Sequence, residues 1–348
     1  VSQPKEDIPW LTKFLFGIFA LFLLVATVVA VHWYDTLIEP GPLIDYKTVV
    51  IPKGARIQQI GERLEKAGII KSTGMIPPKW VFVSAVRLQE VHREMRAGEY
   101  KFRPGISIRH VISLLRKGQI VNRRVTITEG MTVPQIIETL VAAEGLEGVV
   151  FPIPKEGDLL PDTYYYAFGE SRQSIVDHMA LKMQRALDAL WPKRAPNLPI
   201  KTKEEAVILA SIVEKEAGLE SERRRVAGVF INRLKKGMRL ESDPTVVYAV
   251  NGAKGALGRG LKKSELRKDH PYNTYRIPGL PPGPICSPGW ASIEAVLNPE
   301  NTQAIFFVAD GTGGHKFSKT LQEHQNAVRK WRAIERKRKQ KRLRKGAP

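Results

Sequence analysis

An α+β protein carried behind one membrane-spanning helix is the fold class this 348-residue sequence predicts, with two α+β parts after the span. Three observations carry it. The run Phe14–Val31 is apolar and uncharged. A short strand, a glycine and a helix with apolar residues three and four apart then recur between residues 49 and 140. From Thr202 onward, capped helices alternate with Pro- and Gly-rich loops, and a hairpin and a final helix close the pattern. The expected division is 1–13 for an N-terminal segment, 14–34 for the transmembrane helix, 35–48 for a linker, 49–150 for the first α+β region, 151–335 for the second and 336–348 for a basic tail. A chain of this length exceeds the usual single domain and can bury a sizeable core.

Phe14–Val31 is long enough to span a hydrocarbon core, and Trp10, Trp33 and Tyr34 suit its two interfaces. Lys5 and Lys13 precede the span, while Asp35, Glu39 and Asp45 come after it. The positive-inside rule therefore puts the N-terminus in the cytoplasm and the rest outside. A cleaved signal peptide is the alternative, with Val28-Val29-Ala30 as its best cleavage-like triplet. Pro40, Gly41 and Pro42 among acidic residues mark the linker.

The recurring unit is clearest in Val49–Gly54 followed by Ile57, Ile60 and Leu64, and in Val125–Gly130 followed by Val133, Ile136 and Leu140. A shorter echo runs from Tyr100 to Leu115 around Gly105, Ile108 and Val111. Such strand-helix units resemble the LysM module, which implies binding of peptidoglycan glycan; a plain α+β spacer is the other reading. Lys79–Gln89 reads as a further helix.

Pro152, Pro154, Gly157 and Pro161 shift the composition near Phe151, where the domain boundary is expected. The aromatics after Asp162-Thr163-Tyr164 either line a sugar cleft or pack in the core, and the core is preferred for Tyr165 and Tyr166. Ser171–Trp191 is amphipathic and helical. Thr202-Lys203-Glu204-Glu205 forms a capping box that starts a helix at Lys203. Its body, Ala206–Val213, is apolar nearly all round, and Gly218 suits a left-handed C-terminal cap.

Two carboxylates close this helix. By three- and four-residue steps Glu216 stacks on Val213, Ile212 and Leu209, whereas Glu214 stacks on Ser211, Ala210 and Val207. Glu216 thus faces the bulkier apolar stripe. Desolvation and the helix's negative end should raise its pKa, as a general acid requires, with Glu214 as the fallback; both could also be ordinary polar residues at a helix end.

Ser221 reads as the N-cap of a second helix with Val226, Val229, Phe230 and Leu234 on one face, ended by Gly237. In Ser242-Asp243-Pro244-Thr245, Asp243 reads as an N-cap with Pro244 first in the helix. Asn251–Gly260 is glycine-rich and reads as a mobile loop, and Pro271–Pro284 as an irregular, fairly rigid one. Ser287-Pro288 caps a helix through Leu297. Ile305–Ala309 reads as a buried strand that Asp310-Gly311 turns into a hairpin with His315–Ser318. Thr320-Leu321-Gln322-Glu323 is a second capping box, opening a helix with Ala327, Val328, Trp331 and Ile334 on its face. The basic run from Arg336 reads as a frayed, solvated tail that could touch the outer leaflet or an anionic wall polymer.

Several chemistries are set aside. His270, His315, His324 and Asp310 include no helical pair spacing and no zinc motif, so no metal is expected. Cys286, the single cysteine, excludes an internal disulfide and has no identifiable partner as a nucleophile. Gly311-Thr312-Gly313-Gly314 lies in a hairpin rather than before a helix, so it is not a phosphate loop, and no cofactor is expected. The net charge of +20 points to an anionic partner, but no nucleic-acid motif accompanies it and nucleic acid is not expected. Carboxylate chemistry remains.

The words ASIVEKEAG, VFINRLKKGMRLESDPTVVYA, PYNTYRIPGLPPGPI and FFVADGTGGHKFS, in this order, resemble the successive motifs of the YceG-like (MltG) endolytic murein transglycosylases. The resemblance implies a lyase that cleaves MurNAc-GlcNAc bonds within nascent peptidoglycan glycan strands. It would leave 1,6-anhydro-MurNAc ends and limit strand elongation, from the inner membrane with its catalytic domain in the periplasm and beside peptidoglycan synthases. Glu216 matches the catalytic glutamate. Asn232, Asp243, Thr245, Tyr248, Tyr272, Asn273, Thr274 and Tyr275 match positions that could line the cleft, though Asn232 could equally bond only its neighbours. Gln325 departs from the pattern, where asparagine is expected after His324. A hydrolytic muramidase would need a second carboxyl, for which Asp243 or Glu214 could serve. A non-enzymatic peptidoglycan-binding scaffold is the alternative from another class.

Overall fold

The computed structural model describes residues 10–71 and 76–344, so residues 1–9 of the expected N-terminal segment, with Lys5, and the last four residues of the basic tail lie outside the described residues, and residues 10–13 are already helical. The chain divides into two compact units: residues 1–123 with 167–169, and residues 124–166 with 170–348.

The first unit holds α1 (Trp10–Ile38), β1 (Lys47–Ile51), α2 (Ile57–Lys66), α3 (Pro78–Leu88), β2 (Gly98–Phe102) and α4 (Ile108–Lys117). The 29 residues of α1 make about 43 Å of helix at 1.5 Å each, more than a bilayer's hydrocarbon core requires. Its side chains up to Val31 are exposed, and it is long and apolar enough to cross a membrane. The helix runs four residues past the expected end, because its last turn belongs to the unit's core. Thr36 and Leu37 are buried, and Trp33 Nε1 donates to Ser84 Oγ at 2.7 Å. The expected linker is likewise docked: Gly41 N donates to Ile106 O, and a Cβ at Gly41 would collide with that oxygen. β1 and β2 pair antiparallel, Lys47 opposite Phe102, over a core that includes Leu64, Phe82, Tyr100, Phe102 and Leu115. The recurring motif is real in outline. Gly54 (φ +75°), Gly105 (φ +62°) and Gly130 (φ +80°) each turn a strand into a helix in the left-handed region that glycine adopts without penalty.

The third copy, β3 (Arg123–Thr126) and α5 (Val133–Ala142), packs with elements later in the chain rather than with the first two copies. Val125, Ile136 and Leu140 share a core with Tyr164, Tyr166, Ile175 and Met179. The compact units therefore part at residue 123, not near Phe151. The second unit continues with β4 (Leu146–Glu147), β5 (Thr163–Tyr166), β6 (Glu170–Ser171), α6 (Arg172–Leu190), α7 (Lys203–Glu216), α8 (Arg223–Lys235), α9 (Asp243–Asn251), α10 (Lys263–Arg267), α11 (Trp290–Leu297), β7 (Phe306–Ala309), β8 (His315–Ser318) and α12 (Leu321–Arg344). β3 pairs with β5, β4 with β6 in parallel, and β7 with β8 antiparallel. α7 is the centre: Ala206 to Val213 are all buried, enclosed by α8 and α11.

Several local expectations are corrected by tertiary partners. Tyr165 is 66% exposed rather than core, because strand alternation sends Tyr164 and Tyr166 inward. Only half of the capping box at Thr202 forms: Thr202 Oγ1 accepts from Glu205 N, but the Glu205 carboxylate turns to Lys201 N. Glu222, not Ser221, caps α8, after a 3-10 turn at Glu220–Glu222. Gly289, not Ser287, caps α11, because Ser287 pairs its backbone with Gly130 and Met131. Asn251–Gly260 is tied down, with Thr132 Oγ1 donating to Ala253 O at 2.6 Å. β7 is half-buried rather than buried. At α12 too only half of the box forms, with Thr320 Oγ1 accepting from Glu323 N while the Glu323 carboxylate turns to Lys319 N, and the helix continues through Arg344 instead of fraying at Arg336.

Candidate active site

Glu216 is the last residue of α7, carried to the edge of the second unit by a helix whose body is buried on all sides. The helix stops without a left-handed glycine. Ala217 leaves it in an extended conformation (ψ 97°), and Gly218 has no positive φ, which corrects the expected cap. This exit leaves the Glu216 side chain half-buried beside the start of α9, where Ser242 Oγ donates to its Oε1 at 2.6 Å. Burial pushes the Glu216 pKa from 4.5 up to about 7; the Ser242 hydrogen bond opposes the rise, the nearby Asp243 carboxylate adds to it, and His315 and Arg233 oppose it more weakly. The carboxyl is thus poised to hold and release a proton near neutral pH.

The Ser242 hydroxyl is held in place by a web of buried groups. Arg233, on α8, donates from Nε to Ile305 O and from Nη1 to Arg239 O, Leu240 O and the Glu241 carboxylate, at 2.7 to 3.1 Å. This clamps the approach to α9, in which Glu241 takes φ +50°, a left-handed conformation that strains a residue with a side chain by roughly 1–3 kcal/mol. Thr274 Oγ1 accepts from Ser242 N, and Thr245 Oγ1 donates to Ser242 O. Ser242 is therefore the N-cap residue of α9, not Asp243, and Pro244 is second in the helix. Asp243 turns outward instead: its Oδ1 accepts from Tyr275 Oη at 2.7 Å. Burial and this bond raise the Tyr275 pKa, keeping the phenol a donor. Opposite this group, His315 Nδ1 lies 2.8 Å from Glu222 Oε2, while Glu222 Oε1 accepts from His315 N.

Glu214 lies two residues back, roughly 200° around the helix. It faces a different set of partners. Its Oε2 accepts from Gly289 N at 3.0 Å, and its Oε1 lies 3.8 Å from the Arg223 guanidinium, which also approaches Glu129 at 3.7 Å. Between the two carboxylates, Lys215 Nζ donates to Gly130 O at 3.1 Å. Glu214 thereby ties α7 to α8 and α11.

The other sequence-predicted positions fall into three groups. Asp243 and Tyr275 meet beside Glu216. Thr245, Thr274 and Asn273 are buried and hold backbone: the Asn273 amide donates to Lys268 O and its Oδ1 accepts from Tyr275 N. Asn232 is also spent on neighbours, donating to Thr302 O and Ala304 O. Tyr248 and Tyr272 pair with ring centroids 4.8 Å apart, and Tyr248 lines a cavity of ≈ 330 Å³ together with Asp243, Pro244 and Lys215. Sequence reading missed Ser242, Arg233, Glu222 and His315 as parts of this constellation. Ser242 and Arg233 lie inside one of the recognised words and His315 inside another, but nothing local distinguishes a serine that bonds a carboxyl from one that caps a helix.

Among the described residues no group of three or more His, Cys, Asp or Glu side chains is placed to hold a metal ion. Cys286 is buried against Ser211 O, and burial pushes its thiol pKa well up, so no thiolate is on offer.

Residues 49–330 match the YceG-like family. An endolytic murein transglycosylase of Bacillus subtilis (strain 168) is 31% identical over 331 residues, covering 85% of this chain and 88% of its own. One of Streptococcus pneumoniae serotype 2 (strain D39 / NCTC 7466) is 30% identical over 326 residues, and that alignment covers 80% of this chain but only 57% of the pneumococcal protein. The crystal structure of a yceG-like protein from Listeria monocytogenes superposes with a TM-score of 0.50 at 29% identity, covering 81% of this chain and 99% of the other. Matched over most of its length, this chain belongs to the YceG-like family.

Proposed function

We propose that this chain is a membrane-anchored endolytic lytic transglycosylase, cleaving MurNAc-GlcNAc bonds inside nascent peptidoglycan strands with Glu216 as its acid and base. One observation carries the reading: a carboxyl at the end of a buried helix, raised to about 7 and fixed by the Ser242 hydroxyl. The neutral carboxyl donates its proton to the departing glycosidic oxygen as the bond to the anomeric carbon breaks. The substrate's own N-acetyl group carries the positive charge that develops there. The resulting carboxylate then takes the proton of the muramyl 6-hydroxyl, whose oxygen bonds to the anomeric carbon and closes the 1,6-anhydro ring. Water does not enter the balance, and the enzyme ends protonated as it began. Ser242 holds one carboxyl oxygen, which leaves the other to face the substrate.

Hydrolysis is the second reading, and the position of Asp243 favours it: a carboxylate beside the acid is what a muramidase requires. Its bond to Tyr275 argues for a positioning and electrostatic role instead. Product mass separates the two, since a hydrolytic end is heavier by one water than an anhydro end. Purified full-length protein on defined glycan strands should release anhydro ends, and Glu216→Gln should bind strands without cleaving them. Cleavage by that variant at the parental rate would remove Glu216 from the mechanism. Binding by the parent without any cleavage would instead mean a scaffold.

The anchor is α1, with the N-terminus cytoplasmic and both units periplasmic at the inner membrane; Lys13 before the span and Asp35 and Glu39 after it support that orientation. The first unit's strand-glycine-helix repeats support a LysM-like role in holding glycan, and a peptidoglycan synthase would supply the nascent strand.

A further inference from the structure

Within the second unit, the N-terminal half of α7 forms a wall of a cleft of ≈ 940 Å³ that the proposed chemistry does not use. This is near the upper end of the roughly 300–1,000 Å³ usual for ligand pockets. The Tyr248–Tyr272 pair and Glu156 line it as well. The tight turn Lys155–Asp158, closed by Asp158 N to Lys155 O and by Lys155 N to the Asp158 carboxylate, presents that residue. Gly157 (φ +84°) is wedged so closely that a Cβ there would lie 2.6 Å from Pro284 and 2.8 Å from Val207. The turn is therefore built into the wall.

Glu156 accepts from Val133 N at 3.0 and 3.1 Å. Burial nevertheless pushes its pKa up to about 7, against that backbone bond and with the help of Asp158. It can therefore hold a proton and donate as well as accept. On the rim, Lys203 is paired with Asp188 at 2.5 Å, and Glu156, Asp158, Asp188 and Glu204 outnumber the two lysines, Lys155 and Lys203, so the lining does not carry the net positive charge that an anionic polymer would seek. Aromatic faces, a carboxyl able to donate or accept and a rim without net positive charge suit an uncharged, hydroxyl- and amide-bearing ring.

We propose that this cleft binds N-acetylhexosamine units of the substrate strand away from the point of cleavage, Tyr248 and Tyr272 stacking on ring faces and Glu156 bonding a hydroxyl or acetamide group. Continuity supports this occupant. Val207 lines the cleft and Glu216 ends the same helix nine residues on, about 14 Å along the axis. Tyr248 stands at both this cleft and the smaller cavity that contains Asp243. A strand with its reacting bond at Glu216 could thus extend past Asp243 and Tyr248 into the cleft, which makes the enzyme prefer longer strands.

The inference rests on the glycan-cleaving reading, and the test keeps the two apart. Chitopentaose, an N-acetylglucosamine homopolymer, is titrated by calorimetry into full-length Glu216→Gln protein in detergent, alone and combined with Gln184→Trp or Tyr272→Leu. Gln184 is an exposed rim residue of α6, so a tryptophan there fills the cleft without disturbing the core. Each added change should weaken binding by roughly tenfold, the equivalent of about 1.4 kcal/mol. In the parent background, Gln184→Trp should lower kcat/KM on long strands relative to a tetrasaccharide. Parental affinity for chitopentaose in both combined variants, or an unchanged preference for strand length, would overturn the cleft as a sugar site. Failure of the catalytic reading would show instead as no bond cleavage by the parent on any strand, and the titration, which needs no cleavage, would still decide the cleft.

Discussion

Glu214 and Glu216 leave the same helix end two residues apart, yet the fold treats them oppositely. Glu214 receives a peptide N–H from Gly289 and lies beside the Arg223 guanidinium. Glu216 receives one neutral hydroxyl and lies near another carboxylate. Burial alone does not make an acid. A buried carboxyl given donors and a cation becomes a structural tie, whereas one given burial, a single hydroxyl and a like charge keeps its proton into the neutral range.

That contrast is most severely tested by exchanging each carboxyl for its amide. Glu216→Gln should lower turnover of glycan strands by at least ~10³-fold, in the range ascribed to a lost general acid, while melting as cooperatively as the parent. Glu214→Gln should leave turnover per folded molecule within about tenfold of the parent. If the two results were reversed, the roles given to the two glutamates would be exchanged.

Stability should respond in the opposite sense. Glu214→Ala leaves Gly289 N–H without its acceptor and the buried Arg223 with Glu129 alone, 3.7 Å away, and should cost about 2–3 kcal/mol in denaturant unfolding. Arg223 Nε already has no partner, so the guanidinium has little in reserve. Glu216 and Glu156 both have folded pKa values near 7, above the ordinary 4.5, so the folded state binds the extra protons. Their contribution is therefore fully present below about pH 4.5 and lost as pH rises through about 7, by up to roughly 3 kcal/mol each. Glu216→Gln and Glu156→Gln should flatten that loss when unfolding is compared at pH 5 and pH 8, and an unaltered slope in both would contradict their burial.

The smallest effects are the most specific. The acid form is required, so kcat/KM should fall tenfold per pH unit above about 7. Ser242→Ala removes a donor that favours the carboxylate, which moves this limb to higher pH. Asp243→Asn removes a repelling charge and moves it lower, each by less than about one unit. Shifts in the same direction would break the account of how the site is tuned.

Much of the fold is legible in the sequence, and the departures have a common cause. The apolar span, the strand-glycine-helix copies, the buried body of α7 and the β7–β8 hairpin follow from periodicity and turn residues, which act over a few positions. The caps expected at Gly218, Ser221, Asp243 and Ser287 all lie elsewhere, and Asp243 and Ser287 are each drawn to a distant partner. Ser242 and Asp243 show it most plainly. Either could cap α9, and the choice fell to the one whose backbone Thr245 and Thr274 secure, while Tyr275 drew the other outward. Pattern alone groups the third repeat copy with the first two, although its apolar face packs on β5 and α6.

By itself, the sequence determined that a carboxyl would stand at the end of an apolar helix, and the stripe beneath Glu216 singled that residue out of the two. Only the tertiary structure decided what each carboxyl would meet. The hydroxyl at Glu216 comes from 26 residues away and the peptide N–H at Glu214 from 75. Helical periodicity is local and survives in the sequence, but hydrogen-bond partners across such separations exist only once the surrounding helices have packed.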